Sequence, residues 1–167
     1  MNISFLRDFD LLNNLGIVLN DLSRFDEAVT NYERAIEIKP DYAEAYNNLG
    51  VTFNKLGQLE EAVRSYEKAL NIDPDYADAH NNLGVVLGKK GFANDAVKSF
   101  EKAIDLMIKT LTINPEDFNT LNNLGIAFFE TERFEESMTS YQKALDIQPN
   151  LADVWNNLGT VFQKLNQ

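Results

Sequence analysis

The chain has 167 residues, enough for one domain, and 44% of them are hydrophobic, enough for a buried core. Its 26 acidic and 15 basic side chains give a net charge of -11, which argues against nucleic acid as a partner. With no cysteine and one histidine, the sequence excludes disulfides, zinc-thiolate sites and imidazole cages. No run approaches about 18 consecutive apolar residues, and residues 1–10 lack a signal-peptide pattern. We therefore expect no membrane insertion and a cytoplasmic location.

An internal repeat organises the chain. The tetrapeptide Asn-Asn-Leu-Gly occurs five times, at spacings of 34, 34, 41 and 34 residues. Its copies begin at Asn13, Asn47, Asn81, Asn122 and Asn156. The four prolines, Pro40, Pro74, Pro115 and Pro149, each lie ten residues before the next motif glycine. Because proline lacks an N–H and disfavours a helical predecessor, each one predicts the end of a helix. Each repeat is therefore predicted to be two helices followed by a stop.

We number each repeat unit so that the motif leucine and glycine occupy positions seven and eight. The units then span residues 9–42, 43–76, 77–117, 118–151 and 152–167, the last being a half unit. Positions four, seven, eight and eleven share one face of the first helix. The glycine on this face is expected to let the paired helices approach closely, which must offset a helix-propensity cost of about 1 kcal/mol relative to alanine.

These residues resemble the tetratricopeptide repeat from Phe9 to Gln167. In unit two the family positions are filled by Tyr46, Leu49, Gly50, Phe53, Ala62, Tyr66, Ala69 and Pro74. The departures are Ser137 for a small apolar residue, His80 for an aromatic, and Glu132 for the turn glycine seen at Gly57 and Gly91. The resemblance implies one all-α domain over residues 1–167, a right-handed superhelical solenoid of antiparallel helix pairs with about nine helices.

The 41-residue interval adds seven residues, 105–111, to the second helix of unit three. Seven residues make about two helical turns, so this helix is expected to be longer by roughly 10 Å without losing its apolar face. One interpretation is a tolerated extension. The other is a protrusion that contacts a partner, with Leu106, Met107 and Ile108 partly exposed.

The sequence contains no constellation typical of catalysis. No nucleophile with a base, metal-ligand spacing or phosphate-binding loop is present, so we predict neither an enzyme nor a cofactor or metal site. His80 occupies a packing position and is interpreted as a satisfied, partly buried histidine. Acidic residues such as Glu60, Glu61, Glu135 and Glu136 are interpreted as parts of solvated faces.

The other stripe of each first helix, positions two, five, six, nine and thirteen, faces away from its partner. The resemblance implies that stacked units join these stripes into a concave surface that binds peptides, here named the first-helix groove. Position six is asparagine throughout: Asn14, Asn48, Asn82, Asn123 and Asn157. Position five adds Asn13, Asn47, Asn81, Asn122 and Asn156. Amides both donate and accept, so the row could bond the backbone of an extended ligand at about every third residue.

This row resembles the asparagine ladder in the repeat region of O-linked N-acetylglucosamine transferase. The alternative is that the amides bond only within their own scaffold. Position two places Asp10, Glu44 and Asp78 along one edge, and position nine gives a mostly apolar floor of Ile17, Val51, Val85, Ile126 and Thr160. The acidic edge favours ligands with Lys or Arg and argues against a basic clamp for chaperone C-termini.

The predicted function is a protein–protein interaction scaffold that binds an extended peptide segment in this groove. One alternative is a substrate-recruiting repeat segment of a larger enzyme such as a glycosyltransferase. The other is a homo-oligomeric scaffold that self-associates through the C-terminal helix, where no second helix covers Trp155, Leu158, Phe162 and Leu165.

Overall fold

The computed structural model describes residues 8–166, which form nine α-helices and no strand. The helices are α1 (Asp8–Asp21), α2 (Phe25–Ile38), α3 (Ala43–Lys55), α4 (Leu59–Ile72), α5 (Ala77–Lys89), α6 (Ala93–Ile113), α7 (Phe118–Glu130), α8 (Phe134–Ile147) and α9 (Ala152–Leu165). Residues 1–7 and Gln167, which the predicted domain includes, lie outside the described residues. The all-α prediction is confirmed. Among the described helices, none combines the length and apolarity needed to cross a bilayer.

The helices pack in chain order as antiparallel pairs, and each second helix also packs on the first helix of the next unit. Neighbouring first helices contact one another directly, from α1 with α3 to α7 with α9. Within residues 8–166, no two second helices come as close. The first helices therefore form the inner side of the array, where the first-helix groove was predicted.

The motif glycine brings the two helices of a pair together. A Cβ added at Gly50 would lie 2.6 Å from the Tyr66 ring, and one at Gly125 would lie 2.5 Å from the Tyr141 ring. Both tyrosines are buried, so their rings have no room to withdraw. The predicted steric role of the glycine is confirmed, and the close packing offsets its poor helix propensity.

The turn inside each pair contains one residue with a positive φ angle. Gly57 (φ 75°) and Gly91 (φ 83°) adopt it without strain, whereas Ser23 and Glu132 adopt it at φ 59°. A side chain in this left-handed region costs roughly 1–2 kcal/mol. The predicted departure at Glu132 thus lies at a position whose backbone favours glycine, and Ser23 holds the same conformation in unit one.

The extension lengthens α6 to 21 residues, compared with 14 for α4. This confirms the expected increase of roughly 10 Å. Leu106 and Met107 are buried, and Met107 packs in the same cluster as Leu124 of α7; Ile108 is exposed. The protrusion interpretation, in which all three are partly exposed, is wrong for Leu106 and Met107, because two added turns keep the apolar face of α6 directed at α7.

The last helix leaves part of its apolar surface open. Trp155 and Phe162 expose 52% and 46% of their surface, and Leu165 is also exposed. Leu158 is buried in a cluster with Tyr141 of α8, so the expectation that it lacks cover is wrong. The open surface is therefore the side of α9 that, in the other units, receives a second helix.

Candidate functional site

The position-five asparagines of the first three units lie beneath the surface of the first-helix groove. Asn13, Asn47 and Asn81 expose only 0%, 6% and 3% of their surface, whereas Asn122 is half-buried and Asn156 is exposed. The amide of Asn13 donates from Nδ2 to Glu44 Oε1 at 3.1 Å. The structure thus differs from the predicted row of open amides at the three buried positions, because neighbouring first helices cover them.

The position-six asparagines lie closer to the surface. Asn14 is exposed, and Asn48, Asn82, Asn123 and Asn157 are half-buried. Asn48 Nδ2 donates to Asn13 Oδ1 at 3.1 Å, and Asn82 Nδ2 donates to Asn47 Oδ1 at 3.0 Å. We call these two bonds the asparagine ladder. They use the amide nitrogens of position six, while the Oδ1 atoms of Asn48 and Asn82 accept no hydrogen bond from residues 8–166 and are not buried.

The ladder changes register where the extension precedes α7. Asn123 Nδ2 donates to Asp78 Oδ1 at 2.9 Å rather than to Asn81. Since Asp78 lies three residues before Asn81, the contact is displaced by about 4.5 Å along α5. Asn81 Oδ1 is left buried with no partner in the described part of the chain. The extension is therefore accompanied by a new pairing of the groove amides.

Hydrogen bonds within unit one and between units hold the acidic edge. Tyr42 donates from its hydroxyl to Asp10 Oδ1 at 3.0 Å, and Glu44 accepts from Asn13. Asp10 and Glu44 are exposed, whereas Asp78 is half-buried. Burial raises the pKa of Asp78, and the hydrogen bond from Asn123 opposes that shift. All three predicted carboxyl groups thus lie on one edge with their orientation fixed.

The opposite edge carries lysines that the sequence analysis did not single out. Position thirteen is Lys55 on α3, Lys89 on α5 and Lys164 on α9, and it is acidic on α1 and α7. Lys89 Nζ donates to Asn54 Oδ1 at 2.8 Å. Listing position thirteen unit by unit would have revealed them. The groove therefore has an acidic edge at the start of its helices and a partly basic edge at their ends.

The groove floor is mostly apolar. Val51, Val85 and Ile126 are half-buried, and Ile17 is exposed. A cleft of about 130 Å³ between α7 and α9 is lined by Ile126, Phe129, Glu130, Tyr141, Asn157 and Thr160. This cleft places the amide of a position-six asparagine beside the apolar floor, where a ligand side chain and a ligand backbone could be contacted together.

His80, the one histidine of the chain, has a structural explanation. His80 Nε2 lies 2.9 Å from the Pro74 carbonyl oxygen, which can only accept, so this nitrogen donates. The interpretation of His80 as a satisfied histidine is confirmed. Between residues 8 and 166, no three histidine or acidic side chains are grouped as metal ligands.

Solved structures with the same fold include three named proteins. Pseudomonas aeruginosa pilF is 23% identical over 98% of this chain and 71% of its own, with a TM-score of 0.70. YrrB, a TPR protein with an unusual peptide-binding site, is 22% identical over 93% of this chain and 76% of its own, with a TM-score of 0.54. MamA from Desulfovibrio magneticus RS-1 is 21% identical over 95% of this chain and 86% of its own, with a TM-score of 0.58. At these identities the likeness establishes the fold.

Sequence-family comparison covers nearly the same part of the chain. The TPR repeat model matches residues 16–57 and 52–91, and tetratricopeptide repeat models match residues 75–150 and 140–167. No curated protein is similar enough in sequence to be matched. The helix pairs, the glycine packing and these matches agree, and the chain belongs to the tetratricopeptide repeat family.

Proposed function

We propose that this protein is an interaction scaffold that binds an extended segment of another protein in the first-helix groove. The observation that carries the proposal is the geometry of the position-six amides. Asn48 and Asn82 each use Nδ2 to bond the preceding unit, while Oδ1 accepts no hydrogen bond from the described residues and is not buried. An acceptor held in one orientation loses little side-chain entropy when a ligand N–H binds it.

The same position is asparagine on all five first helices, so Asn14, Asn123 and Asn157 extend the row. In this proposal the buried asparagines Asn13, Asn47 and Asn81 do not contact the ligand. Asn13 and Asn47 orient the row by accepting hydrogen bonds from Asn48 and Asn82. The resemblance to the ladder of O-linked N-acetylglucosamine transferase belongs to the same proposal. Recognition through ligand backbone groups would make binding tolerant of ligand sequence, leaving charge to select among segments.

The charge of the groove edge favours segments with Lys or Arg. Asp10 and Glu44 are exposed there, and the whole chain carries a net charge of -11. Such a field accelerates association with basic segments and loses strength as salt screens it. YrrB, which shares the fold, is described as having a peptide-binding site, and this lends general support to a peptide ligand.

A peptide array tests the proposal. It compares unstructured peptides of equal length and matched composition that differ only in replacing neutral residues by Lys or by Glu. We expect lysine-containing peptides to bind best. The variant Val85→Trp, which fills the groove floor, should abolish binding. Val97→Trp, at an exposed valine on α6 outside the groove, is the matched control and should bind normally.

Preferential binding of the glutamate-containing peptides would contradict the charge preference. Equal binding by Val85→Trp and Val97→Trp would contradict the groove itself. Circular dichroism of both variants shows whether the helices remain intact, so that lost binding is not confused with lost fold.

Self-association through α9 is a second candidate function. It is favoured by the exposed rings of Trp155 and Phe162 beside Gly159, at which an added Cβ would meet no atom within 4 Å. Light scattering tests it: a particle of twice the chain mass, lost in Trp155→Gln, would support self-association, and a monomer at high concentration would exclude it.

A further inference from the structure

A cleft of about 280 Å³ lies at the acidic edge of the first-helix groove, between the start of α7 and the start of α9. Phe118, Asn119, Asn122, Leu151 and Asp153 line it, and none of its lining residues is basic. We call it the fourth-junction cleft because it lies between units four and five.

The fourth-junction cleft contains acceptors without donors to match them. Asn122 Oδ1 is buried and accepts no hydrogen bond from residues 8–166. Asp153 is exposed, and no lysine or arginine of the described chain pairs with it. A buried acceptor without a partner is costly and calls for a ligand or water. The complementary group has several donors and no acceptor, as lysine ammonium and arginine guanidinium do.

The equivalent place between units one and two holds a lysine of the chain itself. There the ammonium of Lys39 lies 4.7 Å from the centroid of the Phe9 ring and 4.7 Å from that of Tyr42. Phe9 stands at the repeat position of Phe118, and Tyr42 at that of Leu151. At the first junction, a lysine of the chain therefore makes cation–π contacts beside the acidic edge.

Sequence differences explain why the fourth junction stays open. Gln148 stands at the repeat position of Lys39, so no ammonium is supplied from within the chain. Asp153 stands at the position of Glu44 and is shorter by one methylene. Glu44 accepts a hydrogen bond from the first-junction amide, but Asp153 forms no such bond with Asn122. The missing ammonium and the free carboxylate follow from these two replacements. The unpaired Asn122 Oδ1 has another cause: at the first junction Asn48 Nδ2 donates to Asn13 Oδ1, whereas the equivalent Asn157 donates no hydrogen bond to Asn122.

We propose that the fourth-junction cleft binds the Lys or Arg side chain of a partner segment, with the cationic group beside the Phe118 ring and paired with Asp153. This rests on the proposed function, because the side chain belongs to a segment held in the first-helix groove. The cleft would thereby fix which residue of an otherwise sequence-tolerant ligand lies between α7 and α9.

A small probe tests the cleft apart from the groove. In an NMR titration of the full chain, N-acetyl-lysine methylamide should shift the backbone signals of Phe118, Asn122 and Asp153, and the norleucine analogue should not. Asp153→Asn should weaken lysine binding about three- to tenfold. Asp105→Asn, which makes the same charge change at an exposed site on α6, should leave binding unchanged.

An exchange between the two junctions gives a second, independent readout. Gln148→Lys should supply the cleft with an internal ammonium and reduce lysine-probe binding there at least about tenfold. Lys39→Gln should open the first junction and create probe-induced shifts at Phe9 and Tyr42. Both changed side chains lie in connections rather than in the core, so the fold is expected to be retained.

Equal shifts by the lysine and norleucine probes, or lysine binding unchanged by both Asp153→Asn and Gln148→Lys, would overturn the proposal. The peptide array tests the proposed function separately, because it measures binding to the first-helix groove and not to the cleft alone. A peptide that binds the groove with the same affinity in Asp153→Asn would leave the function standing and refute the cleft.

Discussion

The part of the array before the extension and the part after it share one sequence pattern but differ in their contacts. In the first part, Asn48 and Asn82 each bond the position-five asparagine of the preceding unit. After the extension, Asn123 bonds Asp78, and Asn81 Oδ1 remains unpaired. Two added helical turns preserve apolar packing because the apolar face repeats, whereas a polar pair needs one particular displacement between helices. A change in helix length can therefore leave the apolar packing intact and still change which polar residues pair.

The largest expected difference is between the motif glycine of a paired first helix, such as α3, and that of α9, which has no second helix packed on it. Gly50→Ala should lower the free energy of unfolding by about 2–3 kcal/mol, because the new Cβ meets the buried Tyr66 ring. Gly159→Ala should raise it by up to about 1 kcal/mol, since an added Cβ there has no atom within 4 Å and alanine favours the helix. Urea unfolding measures both. Equal destabilisation would contradict the steric account.

Breaking the ladder should cost more than changing the residue that lies outside it. Asn47→Leu should destabilise by about 1–2 kcal/mol, since Asn82 Nδ2 loses its acceptor. Asn81→Leu should be near neutral or stabilising, because it removes a buried oxygen that has no partner. Thermal unfolding of the two variants provides the comparison. A larger loss of stability in Asn81→Leu than in Asn47→Leu would show that the pairing of Asn82 with Asn47 does not stabilise the fold.

Two turns at equivalent positions, one with Glu132 after the extension and one with Gly57 before it, allow the cost of the positive φ angle to be measured. Glu132→Gly should stabilise the protein by about 1 kcal/mol, because glycine relieves the positive φ angle. Gly57→Ala should destabilise it by a similar amount, since φ there is 75°. The change in melting temperature should have opposite signs in the two variants. Destabilisation by Glu132→Gly would contradict the assignment of strain to this turn.

The smallest expected effect is the pH dependence at Asp78. Burial raises its pKa, so between the unfolded and folded pKa values the native state binds more protons, and stability falls as pH rises. Asp78→Asn should therefore stabilise the protein at pH 7, with a gain that shrinks as pH is lowered toward about 4. Asp41→Asn, on an exposed turn, reports the effect of net charge alone. A gain that grows on acidification would contradict the sign.

The sequence predicts the packing of this fold better than its polar contacts. The motif glycines and the prolines that follow each second helix indicate the helix pairs, because close approach and missing N–H groups are local constraints. The bonds of Asn48 to Asn13 and of Asn123 to Asp78 were not predicted, since both depend on how far one first helix is displaced along the next. The burial of Met107 likewise depends on where α7 lies.

The central claim is that the open amide oxygens of the position-six row bind the ligand backbone. The most direct test measures, by isothermal titration calorimetry, the affinity of the best array peptide for the triple variant Asn48→Ala, Asn82→Ala, Asn123→Ala. The control removes three exposed amides from second helices, by Asn71→Ala, Asn94→Ala and Gln142→Ala. Three lost acceptors should weaken binding on the order of 10- to 1,000-fold, and the control should bind as the unmodified protein does. Equal affinity for both variants would contradict the account.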